Sequence, residues 1–134
     1  MKIGRLSHVG VAVESIEAHA PLYGGTLALE MLGTEVVPSQ KVKVAFFKVG
    51  ETRVELLEPT SPDSPIRSFL DKKGPGVHHL AYEVDDLEAA LSEVKAGGVR
   101  LIDEKPRIGA GGIRIAFLHP QSTGGVLTEL CERH

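Results

Sequence analysis

Gly76-Val-His-His-Leu-Ala-Tyr-Glu-Val84 restates a run already met near the N-terminus, Ser7-His-Val-Gly-Val-Ala-Val13. With His79 laid on His8, Leu80 falls on Val9, Ala81 on Gly10, Tyr82 on Val11 and Val84 on Val13. Each run holds a histidine, a small residue two positions on, and apolar residues between. The offset is 71 residues, about half of the 134-residue chain. A second pair keeps nearly the same step. Thr52-Arg-Val-Glu-Leu-Leu57 and Val126-Leu-Thr-Glu-Leu-Cys131 each set a glutamate among apolar neighbours, and Glu55 and Glu129 stand 74 residues apart. Self-similarity at a fixed offset marks a duplicated unit, and it decides the fold before any single element does.

Outward from the repeat, residues 3 to 13 alternate as a strand, with Val9, Val11 and Val13 on a core-like face and His8, Gly10 and Ala12 on the other. Ser15 caps a helix carrying Ile16, Ala20, Tyr23 and Leu27, which Pro21, Gly24 and Gly25 shorten or kink. Runs at 31 to 37, 41 to 49 and 52 to 58, joined at Pro38-Ser39 and Gly50-Glu51, complete a β-α-β-β-β order. Pro59 to Pro65 is a linker leading into a short helix, with Ser64 as cap and Pro65 in the first helical position. The second half repeats the order. Strand 77 to 84 precedes a helix from Asp86 to about Ala96, opened by a capping box of Asp85 and Glu88, striped by Leu87, Leu91 and Val94, and ended by Gly97-Gly98. Strands near 99 to 102, 113 to 118 and 125 to 131 follow. Gly109-Ala-Gly-Gly112 opens a strand and not a helix, so it reads as a flexible hairpin before it reads as a phosphate cradle. The expected fold is α+β, a single domain over 1–134 with one module at about 1–60, a linker and short helix at 61–75, and a second module at about 76–134.

Composition narrows the function classes. At 42% apolar residues the chain can bury a core, and a net charge of −3 offers no broad basic face for nucleic acid. One cysteine forms no internal disulfide, which fits a reducing cytosol. The N-terminus runs straight into a strand pattern with no signal-peptide features, and no apolar run approaches the ~20 residues of a membrane helix. A soluble cytoplasmic protein is expected, with no membrane and no nucleic-acid partner.

The chemistry gathers on His8, Glu55, His79 and Glu129. Imidazole nitrogens and carboxylate oxygens suit a divalent first-row metal, and four such ligands leave positions open on an octahedral ion. Gly10 and Ala81 share a face with the histidines and leave room there. Taken singly, each of the four also reads as an ordinary sheet residue; it is their common repeat that favours a metal site. His78 points to the opposite face, His119-Pro120 shapes a turn more naturally than it reaches a substrate, His19 sits on an exposed helix position, and His134 is a terminal residue. Cys131 shares strand parity with Glu129 but has no histidine nearby in sequence, so it reads as a packed thiol.

The doubled β-α-β-β-β order with these four residues resembles the vicinal oxygen chelate superfamily, which includes glyoxalase I, extradiol dioxygenases and methylmalonyl-CoA epimerase. The run from Asp103 to Leu130, Gln40-Lys-Val-Lys-Val-Ala-Phe46 and His78-His-Leu-Ala-Tyr-Glu-Val-Asp-Asp86 resemble the epimerase branch, and the likeness covers essentially the whole chain. It implies a cupped eight-stranded mixed sheet around a metal site and an isomerase that interconverts (2R)- and (2S)-methylmalonyl-CoA through a metal-stabilised enolate. It also implies a homodimer and an acyl-CoA substrate. The metal so implied is Co2+, with Zn2+, Mn2+, Ni2+ or Mg2+ as alternatives. His8, His79 and Glu129 match the family's metal positions, and Glu55 matches a further ligand position that is glutamine in some members. Epimerisation needs acid–base groups on both sides of the carbon. The resemblance makes Glu129 one of them. Some members carry a glutamate where this chain has Val44, which leaves Glu55, a lysine or water as the second.

Three other activities share this pattern. Glyoxalase I uses a similar four-ligand site, but the C-terminal run is epimerase-like. An extradiol dioxygenase holds Fe(II) with two histidines and one carboxylate, and Glu55 as fourth ligand would obstruct it. A small-molecule binding protein of the bleomycin-resistance type has no need of intact ligands. For the nucleotide end of coenzyme A, Lys41, Lys43, Arg107 and Arg114 are the candidate cations, with plain surface charge as the ordinary explanation of each.

Overall fold

The computed structural model describes residues 1–133; His134 lies outside the described residues. Eight strands form one sheet in the order β2-β3-β4-β1-β5-β8-β7-β6. They are β1 (Ile3–Ala12), β2 (Glu30–Val37), β3 (Val42–Val49), β4 (Thr52–Pro59), β5 (Gly76–Val84), β6 (Arg107–Ile108), β7 (Arg114–Leu118) and β8 (Thr128–Glu132), with helices α1 (Ile16–Ala20), α2 (Pro65–Lys73) and α3 (Leu87–Ala96). The chain divides into two compact units, Val9–His78 and Met1–His8 with the segment from His79 onward. The sequence places the first eight residues with the N-terminal module. In the fold β1 stands between β4 and β5, and its first six residues group with the C-terminal half.

In the unit Val9–His78, β2, β3 and β4 form an antiparallel meander. The β3–β4 register sets Ala45 opposite Leu56 and Phe47 opposite Val54, so these four side chains share one face. Ile16 of α1 and Val13 close that face into a core. Ser15 Oγ accepts the Ala18 N–H at 3.2 Å, as its position before the apolar residues predicts. Beyond Ala20 the helix widens into a π turn over Pro21–Thr26, with Leu27 N bonded to Leu22 O at 2.8 Å. The chain thus turns where Pro21 and the two glycines make a regular helix costly. Ser64 caps α2 through the Ile66 N–H at 3.2 Å, with Pro65 in the first turn. Arg67 grips Glu14 with two hydrogen bonds of 2.8 and 2.6 Å, tying α2 to the end of β1.

Phe47 and Leu56 are 0% exposed. Phe47→Ala is therefore expected to cost about 3–5 kcal/mol through lost burial and the cavity left behind. Val36→Ala, at a side chain 56% exposed on edge strand β2, should stay within about 0.5 kcal/mol. Urea unfolding of the two variants against the parent measures the contrast.

The other unit separates its two sheet faces by chemistry. β5 pairs parallel with β8, and β8 antiparallel with β7. Val84, Leu130, Ala116 and Leu118 lie under α3, whose Leu87, Ala90 and Leu91 complete an apolar cluster. Strand alternation then sends the intervening residues, Glu129 among them, to the face away from α3.

Three local expectations are corrected. The N-cap of α3 is Asp86, whose Oδ1 accepts the Ala89 N–H at 3.0 Å, and not Asp85, whose Oδ1 takes the Asp86 N–H instead. Glu88 is engaged by Arg114, so it does not close a capping box. The strand near 99–102 shrinks to a single bridge between Leu101 and Leu118, because Asp103 Oδ2 takes the Phe117 N–H at 2.9 Å and supplies a side-chain acceptor where a continued ladder would use backbone. The edge strand is instead the two-residue β6, which Gly109–Gly112 turns into β7. Gly111 and Gly112 both have φ of 73°, a conformation that glycine adopts without strain, and Gly109 N bonds Ile113 O at 2.8 Å. The glycine run is a hairpin turn, as read. Among the described residues no helix is long and apolar enough to cross a membrane.

Candidate metal centre

Register builds one row of the site. β5 places Ala81 beside Glu129 of β8, and β7 places Phe117 on its other side. His79, two residues before Ala81, shares that face, and its ring meets Phe117 edge to face at 5.5 Å. His8, at the end of the β1 segment in the same unit, completes the group.

His8, His79 and Glu129 are 7%, 6% and 3% exposed. His8 Nε2 and His79 Nε2 stand 3.2 Å apart, with the rings nearly perpendicular. Glu129 Oε2 is 3.3 Å from His8 Nε2, and Oε1 is 3.6 Å from His79 Nε2. All three residues thus offer ligand atoms within 4.8 Å of one another. Despite its closeness to His8, Glu129 Oε2 is buried with no aligned hydrogen bond. A buried acceptor left in that state costs roughly 1–3 kcal/mol or more when charged. Two imidazoles facing through Nε2 also leave room for at most one shared proton. A divalent cation among two nitrogens and a carboxylate would satisfy all three donors, and three protein ligands leave positions for substrate oxygens. The residues present fit such an ion. Ser7 Oγ, buried, lies 3.1 Å from His8 Nδ1 on the far side of the ring.

The remaining sequence candidates are placed as follows. Glu55 lies on β4 in the other unit, 2% exposed, and its Oε2 accepts from Arg53 Nη2 at 3.2 Å. Val44 is buried on β3, in register with Glu35 and Leu57. Gly10 is buried, while the space around Ala81 is filled by Ile115, Phe117 and Cys131. His78 packs edge to face on Phe69 of α2 at 5.0 Å, away from the cluster; burial, helped by Lys73, pushes its imidazole down to about 4. Cys131 is a packed thiol with Sγ 3.6 Å from the Tyr82 carbonyl. His119 shapes its turn by accepting the Gln121 N–H on Nδ1 at 3.0 Å, and His19 is exposed. Lys41 pairs with Asp63, Arg114 with Glu88 and Glu132, and Arg107 with Asp103 beneath the Phe117 ring. Phe117 and Ser7 are absent from the sequence-derived set. Ser7 precedes His8 directly and was legible as a polar neighbour, whereas Phe117 reaches the site only through strand pairing.

Residues 7–117 match the family model described as Glyoxalase/Bleomycin resistance protein/Dioxygenase superfamily. The uncharacterized protein YqjC of Bacillus subtilis is 47% identical over 97% of this chain and 93% of its own length. Mouse mitochondrial methylmalonyl-CoA epimerase is 42% identical over 96% of this chain and 73% of its own. Among solved structures, a variant of Streptomyces coelicolor methylmalonyl-CoA epimerase in complex with 2-nitronate-propionyl-CoA superposes with a TM-score of 0.94 at 38% identity, covering 98% of this chain and 95% of that one. By family match, sequence and fold, the chain belongs to the glyoxalase/bleomycin resistance protein/dioxygenase superfamily, in its methylmalonyl-CoA epimerase family.

Proposed function

We propose that this enzyme epimerises methylmalonyl-CoA at C2, the carbon between its thioester and its carboxylate. The observation that carries the reading is the buried convergence of His8, His79 and Glu129 in a chain whose relatives include epimerases of this substrate. A divalent ion, Co2+ first and Zn2+, Mn2+, Ni2+ or Mg2+ as alternatives, would supply Lewis-acid stabilisation of negative charge on the substrate oxygens.

The chain's own residues do the rest. His8 and His79 would hold the ion, with Glu129 lending it an oxygen. Glu129 takes the C2 proton on a carboxylate shielded from bulk water. Return of a proton to the opposite face inverts the centre, and it needs a second group. Glu55, matched to Glu129 by the sequence repeat, is proposed as a fourth ligand, and Glu55, a lysine or water serves as that second group. The single domain over 1–134 and a cytosolic location, read from the sequence pattern and composition, and a homodimer, implied by the family resemblance, belong to the same proposal.

The test is proton exchange in heavy water. Co2+-loaded protein is expected to introduce deuterium at C2 of methylmalonyl-CoA, chelation should abolish the exchange, and returned Co2+ should restore it. Loaded protein that leaves C2 unlabelled while consuming a glutathione hemithioacetal would replace this reading with the glyoxalase one.

A further inference from the structure

We propose that Arg107 binds an oxyanion of the acyl-CoA substrate through its two terminal NH2 groups, the oxyanion being a phosphate of coenzyme A or the free carboxylate of the acyl group. The inference rests on the substrate class read above, and its geometry comes from strand register. β6 sets Arg107 opposite Ile115 of β7, and β7 sets Ile115 opposite Cys131 and Phe117 opposite Glu129 of β8. Side chains in register share a face of the sheet, and so do residues two apart on one strand. Arg107 therefore stands on the face of Phe117 and Glu129, the one turned away from α3. Two strand spacings and two residues of rise put its Cα roughly 12 Å from that of Glu129, a gap its long side chain shortens. Arg114, paired with Ile108, lies on the other face, where it meets Glu88 of α3 and Glu132.

The guanidinium is held from one edge and from beneath. Asp103 Oδ2 lies 3.3 Å from Nε, and Cζ sits 5.4 Å from the centre of the Phe117 ring. An aromatic face supports a cation that has given up part of its water. The same Asp103 oxygen takes the Phe117 N–H at 2.9 Å, so one carboxylate fixes both the cation and the strand that carries its ring. Phe117 in turn meets His79 edge to face at 5.5 Å. Among the described residues neither terminal NH2 group of Arg107 has a hydrogen-bond partner, and the side chain is 44% exposed. Their planar fork matches two oxygens of a carboxylate or a phosphate.

Isothermal titration of the Co2+-loaded protein with methylmalonyl-CoA, methylmalonyl-pantetheine and propionyl-CoA tests the contact without requiring turnover. Arg107→Met is expected to bind methylmalonyl-CoA roughly 10–100-fold more weakly, the usual worth of hydrogen bonds to a charged group, with Arg107→Lys in between. A phosphate contact gives the same loss with propionyl-CoA and none with methylmalonyl-pantetheine, which lacks the phosphates. A carboxylate contact gives the loss with methylmalonyl-pantetheine and none with propionyl-CoA. Arg114→Met, on the other face, should bind all three as the parent does. Parental affinity of Arg107→Met for methylmalonyl-CoA overturns the proposal. So does an equal loss for all three ligands, the mark of a damaged site, which Co2+ affinity and the thermal midpoint of the variant report directly. A parent that binds none of the three overturns the substrate class itself. If Arg107→Met behaves as expected but the parent exchanges no deuterium at C2, the epimerase assignment fails and the role of Arg107 stands.

Discussion

Glu129→Gln should still bind Co2+ yet exchange the C2 proton of methylmalonyl-CoA about 10²–10⁴-fold more slowly than the parent, the usual contribution of a positioned general base. The amide keeps a carbonyl oxygen for coordination and loses the basic carboxylate. The site makes the substitution unusually clean, because Glu129 is buried and its Oε2 has no aligned hydrogen bond for the amide to disturb. Glu55→Gln is the matched comparison. The family resemblance matches Glu55 to a ligand position that glutamine can fill, so its oxygen should matter more than its charge, and the variant is expected to keep metal and much of the exchange. Metal content and deuterium incorporation, measured on both variants at equal loading, decide between the roles. Exchange near the parent rate in Glu129→Gln would make Glu129 a ligand only. Loss of exchange in Glu55→Gln with metal retained would make Glu55 the second proton-transfer group.

His79→Ala is expected to lose tight Co2+ binding and with it exchange at C2, whereas His78→Ala should keep both. The two residues are neighbours in β5 and differ in the face they serve. His79 directs Nε2 at His8 and Glu129, while His78 stacks against Phe69 of α2. Removing a ligand takes away one of three converging donors and leaves Glu129 buried beside a cavity. Removing His78 costs packing, so its effect should appear in the thermal midpoint. Elemental analysis, exchange rates and melts on the two variants separate these outcomes. Equal metal loss in both would mean that β5 presents its faces the other way round.

Much of this was legible in the residues themselves, for a physical reason. Strand alternation has period two, so His79 and Ala81 must share a face and His78 must leave it. Helix caps and glycine stops announce themselves locally, and Ser15, Ser64 and the Gly109–Gly112 turn are where the pattern puts them. The errors were also local. Two adjacent aspartates both offer a cap, and only the backbone path selects Asp86. The apolar run near 99–102 reads as a strand until the Asp103 carboxylate takes the Phe117 N–H. Val9 and Val11 read as core, yet the His8, Gly10 and Ala12 side of β1 is the more deeply buried.

By itself the sequence determined the duplicated order, the donor types and the strand parity of His8, Glu55, His79 and Glu129, because periodicity and turn chemistry act over a few residues. Which donors meet was decided only by tertiary structure. Ala81 lies beside Glu129 and Glu129 beside Phe117 because β5, β8 and β7 pair in that order. α3 covers the opposite face with Leu87, Ala90 and Leu91, so burial of that apolar stripe fixes which side of the sheet remains for the polar cluster. Contacts between residues so far apart in the chain come from packing the whole unit, and no local run of residues contains them.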